Sequence, residues 1–329
     1  MNLFHEGRRS TRILRCAALA ALLLLPTQAF AADACRGPIA DAHTNRARDG
    51  VDPGTSLLSR LRPPSPEAIR QYVESGVASA RPYRLNAAEK ERIEKALLGL
   101  PEVHRRKLHA HLRHLSFIDV PAGAGNGLTA KVNEGSFPVF DLTLRAGILD
   151  EPLSEFLTTK ERAVFADDGS GVSVAVEAPG SALDYVLLHE ATHVVDHALS
   201  LTSRLDPRFT ASIWLDRTSL HPSWASMPIA STLFRRAPRI PIAAAPGLYG
   251  SLAESPFVSL YATAAAPEDF AELVAWREMA RRFRQPISIT LRNDRGEQIY
   301  RMQPLANPRL TARFAAVDAL LAACASRRM

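Results

Sequence analysis

Residues 181–199 read SALDYVLLHEATHVVDHAL. Ser181 offers a side-chain acceptor just ahead of a run without Pro or Gly, and Asp184 stands three residues on. A helix is therefore predicted to open here, directly after the break at Pro179-Gly180. At about 100° per residue, His193 falls roughly 40° from His189, and Asp196 about 20° on its other side. Leu187, Leu188, Ala191, Val194 and Val195 gather on the opposite half. One face packs inward and the other presents two imidazoles and a carboxylate. Two histidines four residues apart can each give a ring nitrogen to one cation. Glu190 points about 100° away, beside such an ion rather than onto it, where a carboxylate can take a proton from water. The plain alternative is a helix with two structural histidines and a surface glutamate. A capped amphipathic helix following a strand favours the metal, and the His-Glu-x-x-His string predicts Zn2+.

A catalytic zinc needs a third protein ligand and an open position. The metzincin pattern is excluded, because it needs Gly where Asp196 stands and His where Leu199 stands. Three ligands along one straight helix would crowd one side of the ion. Asp196 is instead expected to orient a liganding imidazole through its other nitrogen. His197 points about 80° away and reads as a cleft or surface histidine. Downstream lies Ser259-Leu-Tyr-Ala-Thr-Ala-Ala-Ala-Pro-Glu-Asp-Phe-Ala-Glu272, which predicts a second helix opened by Pro267. Glu268 and Glu272 share one of its faces. One of the two is expected to bind the ion and the other to hold a liganding histidine.

These two segments together, His-Glu-x-x-His-x-x-Asp (residues 189–196) and Tyr-x6-Glu-x-Phe-Ala-Glu (residues 261–272), resemble the gluzincin peptidases of the anthrax lethal factor catalytic-domain type. They are also similar to the titration-factor bacterial peptidases. The resemblance implies His189, His193 and Glu268 as zinc ligands and Glu190 as general base. It further implies Glu272 as an acid behind a ligand and Tyr261 as a phenol donor to a tetrahedral oxyanion. Asp269 stands where an aromatic is common in that family. The expected substrate is a protein or peptide. Two other readings are a zinc-binding regulatory protein without turnover and a hydrolase of a cell-wall amide. Glu190 and Tyr261, neither needed to hold zinc, speak against the first; the ligand set does not separate the second.

The rest of the chain frames this site. Residues 1–31 read as a Sec-type signal peptide, with Arg8, Arg9, Arg12 and Arg15, an apolar run over 17–25, and Ala29-Phe-Ala31 for cleavage. The run is too short for a permanent anchor, so a periplasmic or secreted location is expected. Without this leader the formal charge falls from +6 to +3, which argues against a nucleic-acid partner. Cys35 and Cys324 either close the termini with a disulfide or stay unpaired.

Residues 32–85 are expected to form an N-terminal extension, extended over 33–64, and residues 86–329 a zincin-like metallopeptidase domain. Helices are predicted at 66–80, 86–98, 101–115, 153–165, 267–284 and 308–323. Strands are predicted at 116–120, 137–144 and 172–176, with a hairpin near Asn293-Asp-Arg-Gly296. His104, His109, His111 and His114 lie among Arg105, Arg106, Lys107 and Arg113 and read as a solvated basic face. The glycines at 123–127 lack the Lys-Ser/Thr of a phosphate loop. The proline-rich residues 201–246 are expected to wrap the surface and wall the cleft. This order predicts an α+β fold with a mixed sheet, an active-site helix and a mostly helical C-terminal part.

Overall fold

The computed structural model describes residues 49–323 apart from Pro53 and Ser136. The expected leader and both Cys35 and Cys324 lie outside them. Ser65 accepts from the backbone of Ala68 and opens α1 (Pro66–Glu74). This helix stops short of residue 80, at Gly76, whose φ of +98° suits glycine. A two-residue strand, β1 (Arg81–Pro82), leads to α2 (Ala87–Gly99). Its start is set by a reciprocal pair: Asn86 accepts from the Glu89 backbone and Glu89 from that of Asn86.

The predicted helix over 101–115 is divided. α3 (Glu102–His111) ends and β2 (Leu112–Asp119) begins at once. Sheet pairing and the burial of Leu112, Leu115 and Phe117 override helix propensity here. The solvated basic face is also corrected, since His104, Lys107 and His111 are buried. β3 (Gly127–Lys131) is a strand the sequence pattern did not reveal, and β4 (Phe140–Arg145) follows. The sheet order is β1-β2-β4-β3, with β2 and β4 parallel and the outer pairs antiparallel. Phe140, Leu142 and Leu144 enter the main core.

The chain then forms α4 (Leu153–Arg162), β5 (Phe165–Ala166), β6 (Ser173–Glu177) and α5 (Ala182–Leu199). Residues 201–246 run in single helical turns, of which Pro207–Thr210, Pro222–Ala225 and Pro228–Ala230 begin at a proline, and in β7 (Ile240–Pro241), which pairs with β5. α6 (Ala245–Ala253) precedes α7 (Ala266–Phe283). The expected hairpin is β8 (Ser288–Arg292) and β9 (Gln298–Met302), turning at Gly296; it adds to β6 in the order β6-β8-β9. α8 (Thr311–Ala322) closes the described chain and packs on α7.

The result is a mixed α and β architecture with α5 at its centre. α5 packs on α7, α3 and the edge strand β3. The described part of the expected lead-in is not simply extended. Leu57 joins the core, and the buried Arg60 donates to carbonyls of Leu108, Leu112, His109 and Asp52. Among the described residues no helix is long and apolar enough to cross a membrane.

Candidate metal centre

Ser181 caps α5 by accepting from the backbone of Asp184, and the helix continues unbroken to Leu199. His189 and His193 therefore sit one turn apart, with ring centroids separated by 4.9 Å. The first turn of α7 brings Glu268 against both. Its Oε2 lies 3.1 Å from His189 Nε2 and 3.5 Å from His193 Nε2. Ligands about 2.0–2.2 Å from a tetrahedral ion stand roughly 3.3–3.5 Å apart. The two spacings to Glu268 come close to these edges, and the shorter one is also a hydrogen-bond contact. His189, Glu190 and His193 also offer ligand atoms all within 4.8 Å of one another. A His-Glu-His group here can hold a metal ion. Of the two acids, Glu268 faces both rings, whereas Glu190 Oε2 is engaged by the Thr129 hydroxyl at 2.6 Å.

The electrostatics agree with that division. Burial disfavours a charged His189, but Glu268 and Glu272 outweigh it and raise its pKa to about 9. Burial raises Glu268, yet His193 and His189 overcome this and hold its carboxyl well below the usual range. Acids and imidazoles so placed call for positive charge, from protons or from a metal that displaces them.

Glu272, one turn further along α7, has no exposed surface. Its oxygens accept from Lys160 Nζ at 2.8 Å, Tyr185 Oη at 2.5 Å, Ser259 Oγ at 2.6 Å and Trp276 Nε1 at 3.2 Å. His189 Nδ1 is a further 3.1 Å neighbour, within ion-pair reach but off the line of a good hydrogen bond. A carboxylate has about four lone-pair sites, so Glu272 has none left for an ion. Despite its burial, Lys160 and His189 hold it below the ordinary carboxylate range.

Tyr261 begins a 3-10 turn (Tyr261–Thr263) just before α7, its ring centroid 6.0 Å from that of His189. Lys160 Nζ lies 3.9 Å from the centre of that ring. Burial, Glu268 and Glu190 push the phenol well above its usual pKa, so it remains a proton donor. Phe234 meets Tyr261 edge-on at 5.0 Å. Next to it, Arg235 donates to the carbonyls of Thr263 at 2.7 Å and Thr218 at 3.1 Å. The proline-rich segment therefore does wall the site. A cavity of about 260 Å³ opens beside His189, Glu190 and Tyr261. A Cβ at Gly127 would overlap the Glu190 carboxylate, so the close approach of β3 requires glycine there.

Asp196 does not meet the expectation placed on it. Both of its oxygens accept from Thr202, from the backbone at 2.8 Å and the hydroxyl at 2.5 Å. The chain turns at the left-handed Ser200, and the donors just beyond it take up this carboxylate. His197 is exposed, with its ring 5.2 Å from that of Phe140. Asp269 is buried and accepts from Trp214 at 2.8 Å and Arg313 at 2.7 Å, tying α7 to α8 and to the proline-rich segment. Lys160, Tyr185, Ser259, Thr129 and Gly127 were not singled out from sequence. Tyr185 carried a signal, since it precedes His189 by four residues on one face. The others carried none that spacing alone reveals.

No protein-family model, curated protein or solved structure matches this chain.

Proposed function

We propose that this protein is an exported zinc metallopeptidase, zincin-like in fold and gluzincin-like in ligand set, that hydrolyses peptide bonds. The observation that carries the reading is that Glu268 lies 3.1 and 3.5 Å from the Nε2 atoms of His189 and His193, and that Glu190 offers a further ligand atom beside both rings. Two imidazoles and one carboxylate are a donor set of catalytic zinc with an open position. An all-oxygen or all-thiolate set would favour other metals or a structural role. Zinc bound there would supply Lewis acidity toward water and toward a carbonyl.

The chain's own residues do the rest. Glu190, steadied by Thr129, takes a proton from water and returns it to the leaving nitrogen. Tyr261, kept protonated by its surroundings, donates to the oxygen that gains charge. Glu272, itself paired with Lys160, lies 3.1 Å from Nδ1 on one side of the His189 ring, while Nε2 faces Glu268. β3 is the outer strand of its sheet and carries Thr129 beside Glu190, the kind of edge on which an extended peptide adds a strand. The apolar run at 17–25 supports export to the periplasm or beyond.

Glu190→Gln is expected to keep one zinc per chain while casein hydrolysis falls about 10²- to 10⁴-fold. Full activity in that variant would overturn the reading. Incubating the wild type with purified peptidoglycan in parallel separates a peptide substrate from a cell-wall amide.

A further inference from the structure

The cavity beside Glu190 is bordered by two cations, and each is already neutralised. Arg145, the last residue of β4, pairs with Glu151 through Nη2 and donates from Nε to Asn126 Oδ1 at 2.8 Å. Lys160 pairs with Glu272 at 2.8 Å. Between these pairs the walls are apolar, built from Phe156, Tyr185, Val186, Phe234 and Tyr261 with Ala163. A volume of about 260 Å³ lies below the roughly 300–1,000 Å³ of pockets that enclose whole ligands. The space suits one large side chain of a longer substrate. Aromatic walls reward an apolar or aromatic occupant. An acidic occupant would lose water, meet the Glu190 carboxylate and find no free cation.

We propose that this cavity takes the substrate residue beside the scissile bond, and that Glu151 keeps acidic side chains out of it by neutralising Arg145. The proposal rests on the peptidase reading of the adjacent centre. The side chains of Arg145 and Glu151 are only 7% and 16% exposed, so solvent does little to screen either. Removing the acid leaves an unpaired guanidinium in the wall, ready for an acidic side chain. The Glu151 backbone is held separately, its carbonyl accepting from Ala182 at 2.9 Å. Changing its side chain therefore leaves this junction with α5 in place.

Two readouts test this on the zinc-loaded full chain. One is the cut-site profile on a peptide mixture, read by mass spectrometry. The other is calorimetric binding of the same peptides to the Glu190→Gln protein, which does not depend on turnover. Wild type is expected to prefer Phe, Tyr, Leu or Met over Glu or Asp at one flanking position by at least about 10-fold. Glu151→Gln is expected to gain acidic residues there by a similar factor. Ala163→Leu, which only shrinks the cavity, should shift the preference to smaller neutral residues without admitting acids. Cleavage with no bias at either flank, or Glu151→Gln still refusing acids, overturns the selection and leaves the peptidase reading standing. Selective binding with no cleavage by wild type overturns the peptidase reading and keeps the cavity assignment. Neither binding nor cleavage overturns both.

Discussion

His104 lies on α3 and His189 on the neighbouring α5, and the two buried imidazoles carry opposite charge preferences. His104 is fully buried, and its Nε2 meets Thr192 Oγ1 at 3.0 Å. The Thr192 hydroxyl already donates to the Leu188 carbonyl at 2.7 Å, so the imidazole is the donor. Burial, unopposed by any carboxylate, pulls the His104 pKa down to about 3. His111 stacks on Phe137 at 4.3 Å and donates from Nδ1 to the Pro138 carbonyl at 2.8 Å. His189 is equally deep, yet Glu268 and Glu272 raise it to about 9. Burial does not decide whether an imidazole seeks a cation or stays neutral. The carboxylates brought to it by another helix do.

Exchanging or removing those groups should break the contrast in graded steps. The largest effect is expected from Glu268→Ala, which should lose the single zinc by elemental analysis. Glu272→Ala should weaken zinc binding by about 10- to 100-fold, while His104→Leu should leave the stoichiometry at one. Retained zinc in Glu268→Ala would show that Glu268 is not a ligand.

Next is acid stability. Unfolded His104 takes its proton near 6.5 and the folded residue only near 3. Its contribution is intact above pH 6.5 and is lost as the pH falls toward 3. Wild type should therefore lose roughly 4–5 kcal/mol more than His104→Leu across that window in urea unfolding. Parallel losses in the two proteins would contradict the neutral assignment.

A smaller effect is expected at the cation behind the site. Lys160→Met leaves Glu272 enclosed with only neutral donors and the His189 ring, and should cost about 3 kcal/mol by chemical denaturation. The smallest is Gly127→Ala. Its methyl meets the movable end of Glu190, so hydrolysis should fall about 10-fold or more with little change in melting temperature. A large drop in melting temperature with intact turnover would place the strain elsewhere.

The parts of this site that could be read from sequence are those encoded within one helix. Ser181 and Asn86 cap where their residue types predict, because a cap needs only neighbours two or three residues away. His189 and His193 share a face, and Glu268 and Glu272 share another, through the same helical period. Asp196 shows where that period misleads: it ranks residues by angle but is blind to the donors of the following loop, which claim this carboxylate through Thr202. The basic stretch at 101–115 failed similarly. Nothing local told His104 and Lys107 that α5 and the sheet would enclose them, or told Leu112 that β4 would draw it into a strand.

By itself, the sequence determined that two imidazoles stand on one helix face with a glutamate beside them, and that two acids wait one turn apart on a later helix. Short-range geometry suffices for that, since spacing along a helix is set by backbone hydrogen bonds. Only the tertiary structure decided which acid faces the rings and which is consumed by Lys160, Tyr185, Ser259 and Trp276. That choice depends on how α4, α5 and α7 pack, and on lone pairs being used up by donors from distant parts of the chain. The same packing placed Gly127 against Glu190 and paired Arg145 with Glu151. Charge neutralisation and close approach are properties of surfaces in contact, and no periodicity along one strand or helix encodes them.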